Sequence, residues 1–337
     1  MLQDTFFIGG VQVAVAGKPY IIAEIGSNHD QSIDKAFSMI DMAANAGADA
    51  VKFQLFKADK MYPVGTKMHD IFKSIELDTG WLSKLMKYCE KVEVEFMTSP
   101  FDEESALLLE DIGVNAYKIA SSEIIKTGLL SRIASFKKPM FISTGMCDLA
   151  DVYDAVECCK HAGNSQIALL QCGVMYPIPV EHVNLRVMDT FSSVFGCPVG
   201  FSDHTRGMAA AIAAVGRGAC VIEKHITLNR NSDGPDHFFA MEPDEFKIFI
   251  QMINEAYSCL GSPEKNMLPE ERTQGRREGL YAAHDIATGK VLGKNDIMLR
   301  RPAGGIIKRH YQTVLGSVSK KAFLKGDALE WDSIILK

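Results

Sequence analysis

The chain has 337 residues, room for one large domain and a smaller one, with the 47% hydrophobic and 23% charged content of an ordinary globular protein. A formal net charge of -6 gives no general affinity for nucleic acid. No apolar run approaches the roughly 18 residues of a membrane span, and the opening MLQDTFFIGG has neither the basic flank nor the long apolar core of a signal peptide.

In chain order, TFFIGGVQVAV (5–15) predicts a hairpin around Gly9-Gly10, placed to cap the bottom of the succeeding barrel. Short β-type runs then alternate with helical stretches. The predicted strands are YIIAEIG (20–26), DAVKFQL (49–55), EFMTSP (95–100), AYKIAS (116–121), PMFISTG (139–145), IALLQC (167–172), PVGFSDH (198–204) and CVIEKHI (220–226). Helical patterns such as SIDKAFSMIDMAANAG and DEESALLLEDIG lie between them and end in Gly, as a helix C-terminus should. Eight such units in about 240 residues predict an α/β fold, a (β/α)8 TIM barrel over residues 1–260. No G-x-G-x-x-G turn follows the first strand, which argues against a doubly wound open sheet.

Residues 261–278, including SPEKNMLPEERTQG, are polar without apolar periodicity and read as a linker. Residues 279–337 carry short strands and turns, a small β-rich domain whose thin core predicts support from docking or dimerisation. The eight cysteines include no CxxC pair, and most sit in apolar segments, which predicts free thiols in a reducing cytoplasm.

A barrel's active site lies at the C-terminal ends of its strands. Those ends carry Glu24, Lys52, Gln54, Thr98, Ser99, Lys118, Ser121, Glu123, Ser143, Thr144, Gln171, Tyr176, Ser202, Asp203, His204, Glu223, Lys224 and His225. One polar strand end would mean little, but eight in succession on strands with apolar beginnings point to a site. Lys52 and Lys118 in one mouth point to an anionic ligand that offsets their desolvation, with the serine hydroxyls as a phosphate or carboxylate cradle. His204 and His225 end adjacent strands, where two imidazoles with a carboxylate and water suit a borderline divalent ion. Glu24 and Glu123 are candidates for proton transfer, and Asp236 for binding sugar hydroxyls. On residues alone the reading is a metal-assisted barrel enzyme with an anionic, phosphorylated substrate.

The motifs IIAEIGSNH, AGADAVKFQ, YKIASSE, ISTGM, QCGVMYP, GFSDHT and IEKHITL…GPDH occur in one order and spacing. In this the chain resembles the sialic acid synthase family, phosphoenolpyruvate-dependent nonulosonate synthases, over essentially its whole length. The tail is similar to that family's C-terminal antifreeze-like (SAF) domain, and some stretches are similar to the spore-coat polysaccharide branch. The resemblance implies condensation of phosphoenolpyruvate with an N-acylated hexosamine such as N-acetylmannosamine. It implies phosphoenolpyruvate held by Lys52, Ser99, Lys118, Ser121, Ser143 and Ser202, and a divalent metal, manganese, held by His204 and His225. Glu24, Tyr176 and Asp236 would face the sugar, with Glu123 near the reacting carbons. Arg301 would come from the antifreeze-like domain of a partner subunit, in a domain-swapped homodimer. Val174 departs from the family, which often has a polar residue there. Weighed alongside are condensation with a different aldose phosphate and a catalytically silent sugar-binding barrel.

Overall fold

Gly9 and Gly10 both adopt positive φ, the backbone a two-residue hairpin turn requires, and strands β1 (Thr5–Ile8) and β2 (Val11–Ala14) pair antiparallel across it. In the computed structural model, which describes residues 1–337, the chain divides into two compact units, Met1–Gly261 and Ser262–Lys337. The first holds eight parallel strands: β3 (Tyr20–Gly26), β4 (Ala50–Leu55), β5 (Glu95–Pro100), β6 (Tyr117–Ile119), β7 (Met140–Ser143), β8 (Ile167–Cys172), β9 (Val199–Asp203) and β10 (Val221–His225). The last strand pairs with the first, Val221 opposite Tyr20 and His225 opposite Glu24, so the sheet curls back on itself. Strands β5 and β6 lie side by side where the ladder is interrupted. This is a TIM barrel with its helices outside.

Side-chain alternation sorts each strand into two faces. Ile21, Val51, Phe53, Phe96, Tyr117, Ile142, Leu169, Phe201 and Ile222 face outward into one large cluster with the surrounding helices. Tyr20, Ile22, Ala50, Met97, Ala116, Phe141, Ala168, Leu170 and Val221 form a second cluster, the lower barrel interior. Phe6, Ile8 and Val13 of the hairpin belong to that inner cluster, and Phe6 meets the edge of Phe141 with ring centroids 6.2 Å apart. The hairpin therefore plugs the bottom of the barrel.

The helices start and stop where local chemistry dictates. Ser32 caps Ile33–Ala46 through the Lys35 amide, and Gly47 ends it in the left-handed conformation. Asp102 and Asp148 cap Glu103–Ile112 and Leu149–His161 likewise. In the second unit a short helix, Pro269–Thr273, precedes β11 (Gly279–Ala282), which pairs with β12 (Ile297–Arg300), while β13 (Val318–Ser319) pairs with β14 (Ile334–Ile335). Ten buried apolar residues, among them Leu280, Ile297, Ile306, Phe323 and Leu329, give this unit a closed core of its own. All eight cysteines are unpaired, and no helix is long and apolar enough to cross a membrane.

Candidate active site

Above the apolar floor the inward face of seven of the eight strands turns polar, while β8 ends inward in the thiol of Cys172. Glu24 follows Ile22, Lys52 follows Ala50, Ser99 follows Met97, Lys118 follows Ala116, and Ser143 follows Phe141, each two residues on. Ser202, Glu223 and then His225 continue the same face around the barrel. Together they line a cavity of about 560 Å³ open at the C-terminal ends of the strands.

Its base is a ring of four charges, none more than 3% exposed. Lys52 Nζ lies 2.7 Å from Glu24 Oε2 and 3.8 Å from Glu223 Oε2. Lys118 Nζ lies 3.3 Å from Glu223, which also accepts a 2.9 Å hydrogen bond from Ser202 Oγ. Gln54 donates to Glu24 at 2.8 Å, and Lys52 reaches Ser99 Oγ at 3.4 Å. These pairs correct one expectation from the sequence. The desolvation of the two lysines is offset by two internal carboxylates, so an anionic ligand is not required to explain their burial.

Burial and the opposing charges set the titration of the ring. Burial depresses the Lys52 ammonium, but Glu223 and Glu24 outweigh it and the net shift is upward. Lys118 has the weaker pairing, burial wins, and its pKa lies below the ordinary lysine value. Burial raises Glu24 more than Lys52 lowers it. For Glu223 burial is overcome by Lys118 and Lys52, which hold it down at about 2. An ammonium has three donors, and Lys118 spends its contacts on one carboxylate alone, so donors remain for a ligand.

His204 and His225 stand above the ring with centroids 5.3 Å apart. His204 Nδ1 lies 2.7 Å from the Gly173 carbonyl, which makes Nδ1 a donor and leaves Nε2 as the nitrogen available to a metal. His225 Nδ1 is buried without any partner, and burial followed by the His204 charge pushes its pKa well down. Burial works against protonation of His204, but Cys172 and the Gly173 carbonyl outweigh it and its pKa is raised, so a divalent ion held by this pair would displace a proton from His204. No set of three His, Cys, Asp or Glu side chains converges, so the protein offers two ligands and leaves other positions to water and substrate. Tyr176 packs over His204 with centroids 4.3 Å apart, and Phe239 borders His225 at 4.9 Å.

Ser121 and Glu123 lie on a 3-10 turn, Ser121–Glu123, because strand β6 stops at Ile119. Ser121 Oγ accepts the Gly145 amide at 2.9 Å, Glu123 pairs with Lys126, and Ser143 Oγ is buried without a partner in the cavity wall. Val174 fills its part of the wall with a methyl group: a Cβ on Gly145 would come within 2.5 Å of it. Asp236 is not among the cavity-lining residues but lies at their edge, accepting from Ser27 Oγ at 3.2 Å. Gly26, at φ +56°, explains the approach. A Cβ there would meet Asp236 Oδ2 at 3.1 Å, Glu24 Oε1 at 3.3 Å and Gln54 Nε2 at 3.5 Å, so these three polar groups converge on a space only glycine leaves open. Arg301 lies in the second unit, beside Arg276, Arg277, Lys308 and Arg309 around a surface concavity.

Lys224, Asp203, Thr98 and Gln171 have the opposite parity and are structural. Lys224 Nζ donates to Asp203 Oδ2 at 2.7 Å and the Thr205 carbonyl at 2.6 Å, facing Phe249 of the helix Pro243–Leu260. Glu223, Lys224 and His237 have no role that the sequence assigns, and of the three Glu223 lies in the cavity. Its signal was available, because it stands two before His225 and two after Val221 on the inward face. The loop wall of Lys60, Met61, Tyr62 and Phe72 was also not assigned, and it comes from the short helices Ala58–Met61 and Lys67–Ser74.

The sequence profile of the NeuB family matches residues 39–265, and that of the SAF domain matches 277–335. The chain belongs to the NeuB family. It is 36% identical to the N,N'-diacetyllegionaminic acid synthase of Campylobacter jejuni, covering 93% of this chain and 99% of that one. It is 34% identical to the spore coat polysaccharide biosynthesis protein SpsE of Bacillus subtilis, covering 98% of each. A crystal structure of N-acetylneuraminic acid synthetase from Leptospira borgpetersenii superposes with a TM-score of 0.77 at 29% identity, covering 81% of this chain and 95% of that one. The charged ring and the histidine pair thus sit in a NeuB-family barrel followed by a SAF domain.

Proposed function

We propose that this NeuB-family chain condenses phosphoenolpyruvate with an N-acylated hexosamine, N-acetylmannosamine or a related sugar, and water. The products are a nine-carbon 3-deoxy-2-ulosonic acid and phosphate. The observation that carries this reading is the buried ring of Glu24, Lys52, Glu223 and Lys118 beneath two imidazoles, in a cavity walled by serine hydroxyls. The activities of the relatives support it, since they are named as synthases of legionaminic and N-acetylneuraminic acids.

Lys52 and Lys118 hold the phosphate and carboxylate of phosphoenolpyruvate, with Ser99, Ser121, Ser143 and Ser202 supplying neutral donors around them. Glu24, Gln54, Tyr176 and Asp236 hold the open-chain sugar against its methylene carbon. His204 and His225 would hold a divalent ion, manganese by family resemblance, which when bound polarises the sugar carbonyl. The phosphoenolpyruvate methylene carbon forms the new bond to the aldehyde carbon, whose oxygen takes a proton. Water adds to C2 of phosphoenolpyruvate, one of its protons passing to Glu24 or Glu123 to replace the one given to the sugar oxygen, and the C–O bond to phosphate breaks as the C2 hydroxyl yields its proton to the departing phosphate. Fixing both reactants in one pocket removes much of the entropic barrier, worth several kcal/mol. Arg301 would enter this site from a partner subunit, its planar fork gripping the sugar's acyl carbonyl in a domain-swapped homodimer. A cytoplasmic location, suggested by eight free thiols, completes the proposal.

Product mass after incubation with phosphoenolpyruvate, manganese and each of a panel of hexosamines, with arabinose 5-phosphate as the contrasting acceptor, tests the reading. In 18O-labelled water the label should enter the sugar acid at C2. Label in phosphate would overturn C–O cleavage, and turnover of arabinose 5-phosphate alone would overturn the hexosamine.

A further inference from the structure

Between Thr227 and Ala240 the chain makes a long excursion from the top of β10, pinned at its base where Thr227 bonds the Met241 carbonyl at 2.9 Å. Asp236 rides on this loop, and the hydrogen bonding of its side chain to protein is confined to Ser27, whose hydroxyl donates at 3.2 Å. The next residue, His237, is fully buried and uses both ring nitrogens. Nδ1 lies 2.7 Å from Thr227 Oγ1 at the start of the loop, and Nε2 lies 2.9 Å from Asp30 Oδ1 in the loop after β3. Asp30 is in turn held by Lys35. Asn28 Nδ2 adds a second tie, to the Ile226 carbonyl at 2.9 Å. Gly234 makes room for the ring, since a Cβ there would come within 2.8 Å of His237 Cδ2.

We propose that His237 is a positioning residue that acts through Asp236. Its imidazole staples the loop after β10 to the loop after β3, and so fixes the Asp236 carboxylate beside Glu24 and Gln54, over Gly26. It touches no substrate. A two-sided clamp matters because Asp236, at the edge of the cavity, is held directly by Ser27 alone, and its placement otherwise depends on the loop that carries it. This rests on the reading of Asp236 as a sugar contact.

The test combines His237→Ala, Thr227→Val and Asp236→Ala in steady-state kinetics with hydrogen exchange of the same proteins. His237→Ala should raise KM for the sugar about tenfold, the size of one hydrogen bond to a charged group, with KM for phosphoenolpyruvate unchanged. Thr227→Val, nearly isosteric, should move it in the same direction by less. In the Asp236→Ala background, His237→Ala should add nothing further. Exchange of amides in 27–31 and 227–240 should rise together in His237→Ala. If Asp236→Ala leaves KM for the sugar untouched, the sugar reading and this proposal both fall. If Asp236→Ala is impaired but His237→Ala is silent, additive with it, or equally damaging to phosphoenolpyruvate, only the proposal for His237 falls. Unchanged exchange in either loop would also overturn it, whether or not a turned-over acceptor has been found.

Discussion

Glu223 meets Lys118 and Ser202 with one carboxylate and lies 3.8 Å from Lys52, so its loss would leave buried ammonium groups short of a counter-charge. Glu223→Gln should lower stability by about 3–5 kcal/mol in urea unfolding, the penalty for removing one partner of a buried charge network. An unchanged midpoint would show that water reaches the ring. Lys118 gives a pH prediction with a definite sign. Its pKa is depressed from 10.5 by burial, so the ammonium is lost at lower pH than that of an exposed lysine. The alkaline fall of kcat/KM for phosphoenolpyruvate should therefore lie below pH 10.5, and Lys118→Arg, charged throughout, should abolish that limb while lowering its plateau. For the histidines, chelation should abolish turnover and added manganese should restore it. Activity retained in both His204→Ala and His225→Ala would rule out the metal role.

At the scale of elements, period-two alternation decides what each strand presents. On β10 it sends Val221, Glu223 and His225 inward and Ile222 and Lys224 outward, where Lys224 meets Asp203. The eight strands and both hairpin strands are legible in the sequence because their apolar runs are bounded by Gly, Pro and caps. Strand β6 is shorter than its apolar run suggests, since the chain turns after Ala120, and that turn is what carries Ser121 and Glu123 to the cavity. The hairpin plug makes a separate prediction. Phe6 is buried against Phe141, so Phe6→Ala should cost about 3–5 kcal/mol, read by denaturant or thermal unfolding. Turnover by the protein that remains folded should be unchanged, because the plug closes the end of the barrel opposite the site.

For the whole molecule, the proposed exchange of SAF domains has a direct test in mixed subunits. Arg301→Ala and His204→Ala should each be inactive alone, and refolding them together should restore activity. Random mixing of a domain-swapped dimer puts an intact barrel and an intact arginine together in about a quarter of the sites. No recovery would mean that Arg301 serves its own barrel or none. Barrel class, the polar strand ends and the family motifs could all be read from sequence, because each depends on local period, turn chemistry or residue order. Sequence also drew the lysines, serines and histidines to one barrel mouth. What it did not determine was pairing across the barrel. Lys52, Lys118 and Glu223 are far apart in the chain, and only the closed sheet brings them within ion-pair distance, so the internal offset of their charge was not visible beforehand. The same holds for His237, whose partners Asp30 and Thr227 belong to different loops. Sequence determined which polar strand ends face the site, and tertiary structure decided which loops wall it and which charges meet there, because electrostatic pairing depends on distance through space and not along the chain.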